Sequence, residues 1–113
     1  MIYAHIDLKN DQYYKMTLSG HAESGPYGHD LVCAAVSALT IGTANNLSRI
    51  AGIEPEIDAN EEDGGFLEIV LPQNVEDQRF EKAQILFNSL HFSLLDIQQE
   101  YGDYLSVSKT NTN

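Results

Sequence analysis

Residues 19–41 read S-G-H-A-E-S-G-P-Y-G-H-D-L-V-C-A-A-V-S-A-L-T-I. Gly20, Gly25, Pro26 and Gly28 crowd the first half, and the second half turns abruptly apolar and alanine-rich. That change marks a loop feeding a helix. Asp30 precedes the apolar run and suits an N-cap, which places Leu31, Val32 and Cys33 in the first turn. The stripe then runs Val32, Val36, Leu39, Thr43, Leu47, Ile50, in steps of three and four. Cys33 sits roughly 100° round the helix from Val32, beside the buried stripe, with Ser37 one turn further on the same flank.

Cys33 is the chain's one cysteine, so no internal disulfide forms. A lone cysteine usually acts as a small buried hydrophobe. Two features point to chemistry instead. Unpaired N–H groups at a helix start favour a thiolate, the form of cysteine that attacks carbonyl carbon. His21 ends the preceding strand, where an imidazole can serve as the activating base. The glycines of the loop, Gly20 first among them, let the backbone turn sharply or let a ligand approach. The Gly-Pro-Tyr-Gly segment suits a cover that lifts when peptide binds. A zinc site built from His21, His29 and Cys33 has irregular spacing and is set aside, so neither metal nor cofactor is expected.

Residues 2–8 alternate Ile2, Ala4, Ile6, Leu8 against Tyr3, His5, Asp7, a period-two strand. Lys9–Asp11 turns into a second strand at 12–19, with Tyr14, Met16 and Leu18 on one side. Helix one runs from Leu31 to about Ala51 and stops at Gly52. Strands follow at 53–59 and 66–71, joined by an acidic turn, with Pro55 marking an edge. Asn74 caps a second helix whose stripe is Phe80, Ala83, Phe87, Leu90, Leu94, Ile97, Tyr101. A fifth strand spans 103–108, and residues 109–113 form a polar, frayed tail. The order ββαββαβ describes a two-layer α+β domain, five strands in one sheet with two helices on one face. Residues 1–113 make a single domain, and the opposite sheet face stays open for pairing with a second copy.

Seventeen acidic against six basic residues give a net charge of −11. Such a surface repels phosphate backbones and attracts basic proteins, so nucleic acid is not a direct partner. No apolar run approaches the length of a bilayer span, and no signal peptide is evident, which points to the cytoplasm.

The stretch G-H-A, then a glycine-bearing loop, then D-L-V-C-A-A-V-S-A-L resembles the Prp family of bacterial ribosomal-processing cysteine proteases, with weaker support from Gly64 and Gly65. The resemblance implies a cysteine endopeptidase whose catalytic pair is His21 and Cys33. By their positions Gly20, Asp30 and Ser37 are the candidate supporting residues, with Asp30 either orienting His21 or only capping the helix. It implies as substrate the precursor of a basic large-subunit ribosomal protein, L-twenty-seven, whose short N-terminal extension is removed after paired aromatic residues. It also implies a homodimer. The competing reading is a noncatalytic acidic adaptor for a basic ribosomal protein.

Overall fold

The computed structural model describes residues 1–20, 27–60 and 65–113, with the side chains of 27–30 outside the described set. The elements are β1 (Ile2–Lys9), β2 (Gln12–Ser19), α1 (Tyr27–Arg49), β3 (Glu56–Asn60), β4 (Phe66–Val70), α2 (Asp77–Tyr101) and β5 (Leu105–Thr112). The sheet order is β3-β4-β2-β1-β5, with β1 and β5 parallel and the other pairs antiparallel. This is the expected ββαββαβ α+β domain.

The period-two rule sets the layers. Ile2, Ala4, Ile6 and Leu8 of β1, Met16 and Leu18 of β2 and Ile69 of β4 all face the helices. They share one core with Val32, Val36 and Leu47 of α1 and with Ala83, Phe87, Leu90 and Leu94 of α2. Thr40 is fully buried in the α1 stripe because its hydroxyl donates back to the Val36 carbonyl at 2.8 Å. Ile50, expected in the stripe, lies beyond the helix end and is exposed.

The β1–β2 hairpin turns through Asn10 and Asp11, both with positive φ, which matches the strands' twist. A bulge follows. Asp7 pairs with Lys15 but Leu8 pairs with Tyr13, so Tyr14 is the extra residue and the alternation reverses there. Tyr13, not Tyr14, therefore packs on the core. Its hydroxyl donates to Asn88 Oδ1 and meets His91 Nδ1, each at 3.0 Å. Its backbone exchanges bonds with the Gln84 amide at 2.7 and 2.8 Å.

Several boundaries differ from the expected ones. Helix α1 starts at Tyr27, a turn earlier than Leu31, so Asp30 is inside the helix and is not its N-cap. Helix α2 starts at Asp77 and has no side-chain cap bond; Asn74 instead takes a left-handed backbone, which asparagine tolerates. Residues 109–112 are not a frayed tail. They extend β5 along β1, and Asn111 Nδ2 donates to Asp11 Oδ1 at 2.6 Å while Asn10 N donates to the Thr112 carbonyl at 2.6 Å. Leu31–Arg49 is, by length and composition, apolar enough to cross a membrane, contrary to the expectation from the sequence, although here one face of it, with Val32, Val36 and Leu47, packs into the core.

His91 is buried, and burial, aided by the charge of Lys109, lowers its pKa. The sign follows from proton uptake. The unfolded imidazole, with a pKa of about 6.5, binds a proton that the folded one resists. Stability is therefore unaffected by this group above that value and falls as pH drops through it, until the folded form also protonates. Denaturation midpoints at pH 7 and pH 5 should show the native protein losing more than a His91→Gln variant. Equal losses would remove His91 from the account.

Candidate active site

Cys33 lies on a flank of α1, half-buried, and packs against the edge of the core. The earlier helix start moves it to the second turn, which corrects its expected first-turn place. The unpaired amides of the helix start then belong to residues 27–30. Helical Cβ atoms lean toward the N-terminus, so the side chain of Cys33 is still directed back at that start. Ser37, also half-buried, follows one turn on along the same flank, as expected.

The surroundings of Cys33 can be traced bond by bond. Val32 and Leu31 share an apolar groove with Ile97 and Tyr101, so the start of α1 meets the end of α2. Tyr104 N donates to the Tyr101 carbonyl at 2.9 Å, and Ile2 N to the Tyr104 carbonyl at 2.8 Å. Tyr3 pairs with Ser19, and Ser19 with Phe66. Gly20 N then donates to the Gly65 carbonyl at 3.1 Å. The opening turns of α1, with Cys33 in the second, and the strand end leading to His21 thus occupy the same end of the domain. His21 itself, the side chains of His29 and Asp30, and residues 21–26 of the loop lie outside the described residues. Tyr27 and Gly28 of the expected Gly-Pro-Tyr-Gly cover are the opening residues of α1.

Gly20 is required for a backbone reason. Its φ is +80°, and a Cβ there would stand 2.4 Å from the Met1 carbonyl oxygen. An L residue pays about 1–2 kcal/mol for the left-handed conformation before any clash is counted. Gly20→Ala should therefore lower stability by at least that amount in chemical denaturation. It should also cut activity, because the backbone it shifts leads directly into His21, the expected base. A variant with unchanged stability would contradict the geometry.

The elements thus place a cysteine in the second turn of a helix, at the end of the domain where a strand leads to a histidine. Comparison with known proteins agrees in kind. The family model described as cysteine protease Prp matches residues 1–106. The ribosomal processing cysteine protease Prp of Bacillus subtilis (strain 168) is 36% identical over 109 residues, covering 96% of each chain. A crystal structure of SMU.848 from Streptococcus mutans superposes with a TM-score of 0.91 at 29% identity, covering 99% of this chain and 96% of that one. The essential ribosomal processing protease Prp from S. aureus, crystallised with a substrate peptide, gives 0.77 at 28% identity, covering 97% and 100%. These matches overturn the noncatalytic adaptor. The chain, whose one cysteine lies in the second turn of α1, belongs to the Prp family and is a cysteine peptidase.

Proposed function

We propose that this peptidase removes the short N-terminal extension of large-subunit ribosomal protein L-twenty-seven, with Cys33 as nucleophile and His21 as base. The observation that carries the reading is the position of Cys33, half-buried on α1 at the domain end where β2 delivers Gly20. The imidazole takes the thiol proton, and sulfur attacks the scissile carbonyl. The tetrahedral oxyanion needs preorganised donors, and the open amides at the start of α1 are suited to the task. Collapse breaks the C–N bond, and the imidazolium gives its proton to the leaving amine. Water then cleaves the thioester, returning the thiol. Ser37 supports the site from the next turn. Asp30 is the candidate to orient His21. The net charge of −11 favours encounter with a basic ribosomal precursor in the cytoplasm. Incubation with the precursor carrying its extension should give two product masses that sum to the substrate plus one water. An uncut precursor would sink the assignment.

The homodimer reading gains a different face. The outer side of the sheet is polar, with His5 Nδ1 on Ser108 Oγ at 2.7 Å and Lys15 between Asp7 and Glu68 at 4.0 and 3.9 Å. Besides Tyr3 on β1 and Ile57 on β3, large exposed apolar side chains stand mainly on the helices, with Leu31 and Ile41 on α1 and Ile85 and Phe92 on α2. Two copies pairing helix layer to helix layer would cover them. Mass determination of the native protein and of an Ile41→Asp variant tests this; a monomer at every concentration would refute it.

A further inference from the structure

We propose that β3 is a docking edge to which an extended basic segment of the substrate adds as an extra strand. The inference rests on the peptidase reading above and deepens it. β3 is the outermost strand of the sheet and, among the described residues, pairs only with β4. All five of its residues, Glu56–Asn60, are exposed, and neither helix covers it. Such an edge offers a row of backbone donors and acceptors to another chain.

The helix-facing side of β3 borders the flank of α1 that carries Cys33. Cys33, Ser37, Ala44 and Ser48 follow at i, i+4, i+11 and i+15, which aligns them within roughly 60° on the helix. At the far end of that line a groove of about 360 Å³ separates the helix from the strand, lined by Ala44 and Ser48 on one side and Pro55 and Ile57 on the other. The Ser48 hydroxyl bonds the Glu54 carboxylate and closes that end. Ile57 is 54% exposed although it pairs with fully buried Ile69, so an apolar seat lies open there. From Cys33 to Ala44 the helix rises roughly 16 Å, the reach of about five extended residues.

The outer side of β3 fixes the chemistry of the occupant. Glu56 and Asp58 point to it, and Asp58 lies directly across from Glu68. Two carboxylates in register repel; Lys15, 3.9 Å from Glu68 and shared with Asp7, offsets this only in part, and a lysine or arginine on an added strand relieves it from the Asp58 side. An added strand alternating apolar with basic residues therefore sets the first on Ile57 and Ala59 and the second on Glu56 and Asp58. A second copy of this chain is a poor occupant. Pairing β3 with itself about a twofold axis would bring more carboxylates against the same carboxylates.

The test uses two peptide series cut by the native enzyme, extended stepwise on one or other side of the scissile bond with alternating apolar and lysine residues. One series should show kcat/KM rising about tenfold once the extension passes roughly five residues. That preference for long over short should fall to about one in Glu56→Lys/Asp58→Lys, and it should weaken with added salt. The Cys33→Ala protein should bind the long peptide more tightly than the short one by a similar factor in calorimetry. A long-to-short ratio identical in native and charge-reversed enzymes, or no length effect in either series, overturns the docking edge. Failure to cut any peptide while calorimetry retains the length effect overturns the catalytic reading and leaves the edge standing.

Discussion

Cys33→Ala should abolish cleavage of the precursor, with kcat falling by at least about 10⁴-fold, the scale on which loss of a covalent nucleophile is felt. The reason is chemical, since alanine has no group to form the acyl intermediate and only positioning remains. Cys33→Ser should lose nearly as much, because a hydroxyl is a weak nucleophile without stronger activation. His21→Ala should cost a comparable factor. The double variant should be little worse than either single one, since two groups that act in one step are not additive. Stability should hardly change. The sulfur sits at the margin of the core and not within it, so trimming it costs about 1 kcal/mol or less. A Cys33→Ala protein that still processes the precursor would refute the assignment of the nucleophile. So would a native thiol that resists iodoacetamide until the protein unfolds.

The parts of this fold that alternate cleanly were legible. Ile2, Ala4, Ile6 and Leu8 declare their face, and the structure buries all four. The second helix declared the middle of its stripe, with Ala83, Phe87, Leu90 and Leu94 buried as expected, whereas Phe80 and Ile97 are half-buried and Tyr101 at the helix end is exposed. Three features escaped for definite reasons. The bulge at Tyr14 reverses alternation, and no single residue type signals it, so Tyr13 took the place expected of its neighbour. Residues 109–112 look like a tail because their neighbours are polar on both faces. Their order comes from pairing with β1, which is long-range and invisible in local composition. The start of α1 was misplaced because Gly28 reads as a loop residue and Asp30 as a cap. Pro26, standing just before Tyr27, was the available signal, since proline favours helix beginnings. At the candidate site, the shared helix flank of Cys33 and Ser37 was readable from spacing. The groove beside Ala44, Ser48 and Ile57 was not, because it depends on which strand forms the sheet's edge and on where neither helix reaches.

Phe87→Ala should be the most destabilising truncation in the core, at about 3–5 kcal/mol. Among the described residues Phe87 is the largest side chain that is fully buried, and its ring lies 6.2 Å from that of Tyr13 with 17° between planes. Removing it takes away transfer free energy and leaves a void beneath the bulge. The surrounding groups cannot collapse freely into it, because Tyr13 is held by bonds to Asn88, His91 and Gln84. For a domain whose whole stability is of order 5–15 kcal/mol, that loss is a large fraction, and the melting temperature should drop by roughly 15 °C. Phe92→Ala provides the contrast five residues on. That ring is 59% exposed, and its loss should cost about 0.5 kcal/mol or less in the isolated chain. The two variants also separate fold from chemistry. Phe87 packs beneath the bulge at Tyr13, where β2 begins, whereas the strand end leading to His21 is at the other end of β2. Below its lowered melting temperature, Phe87→Ala should therefore keep kcat for the precursor within about twofold of the native value while Cys33→Ala has none. A Phe87→Ala protein that stays folded yet loses activity would show that the core under the bulge, and not only the local turn at Gly20, holds the catalytic groups in register.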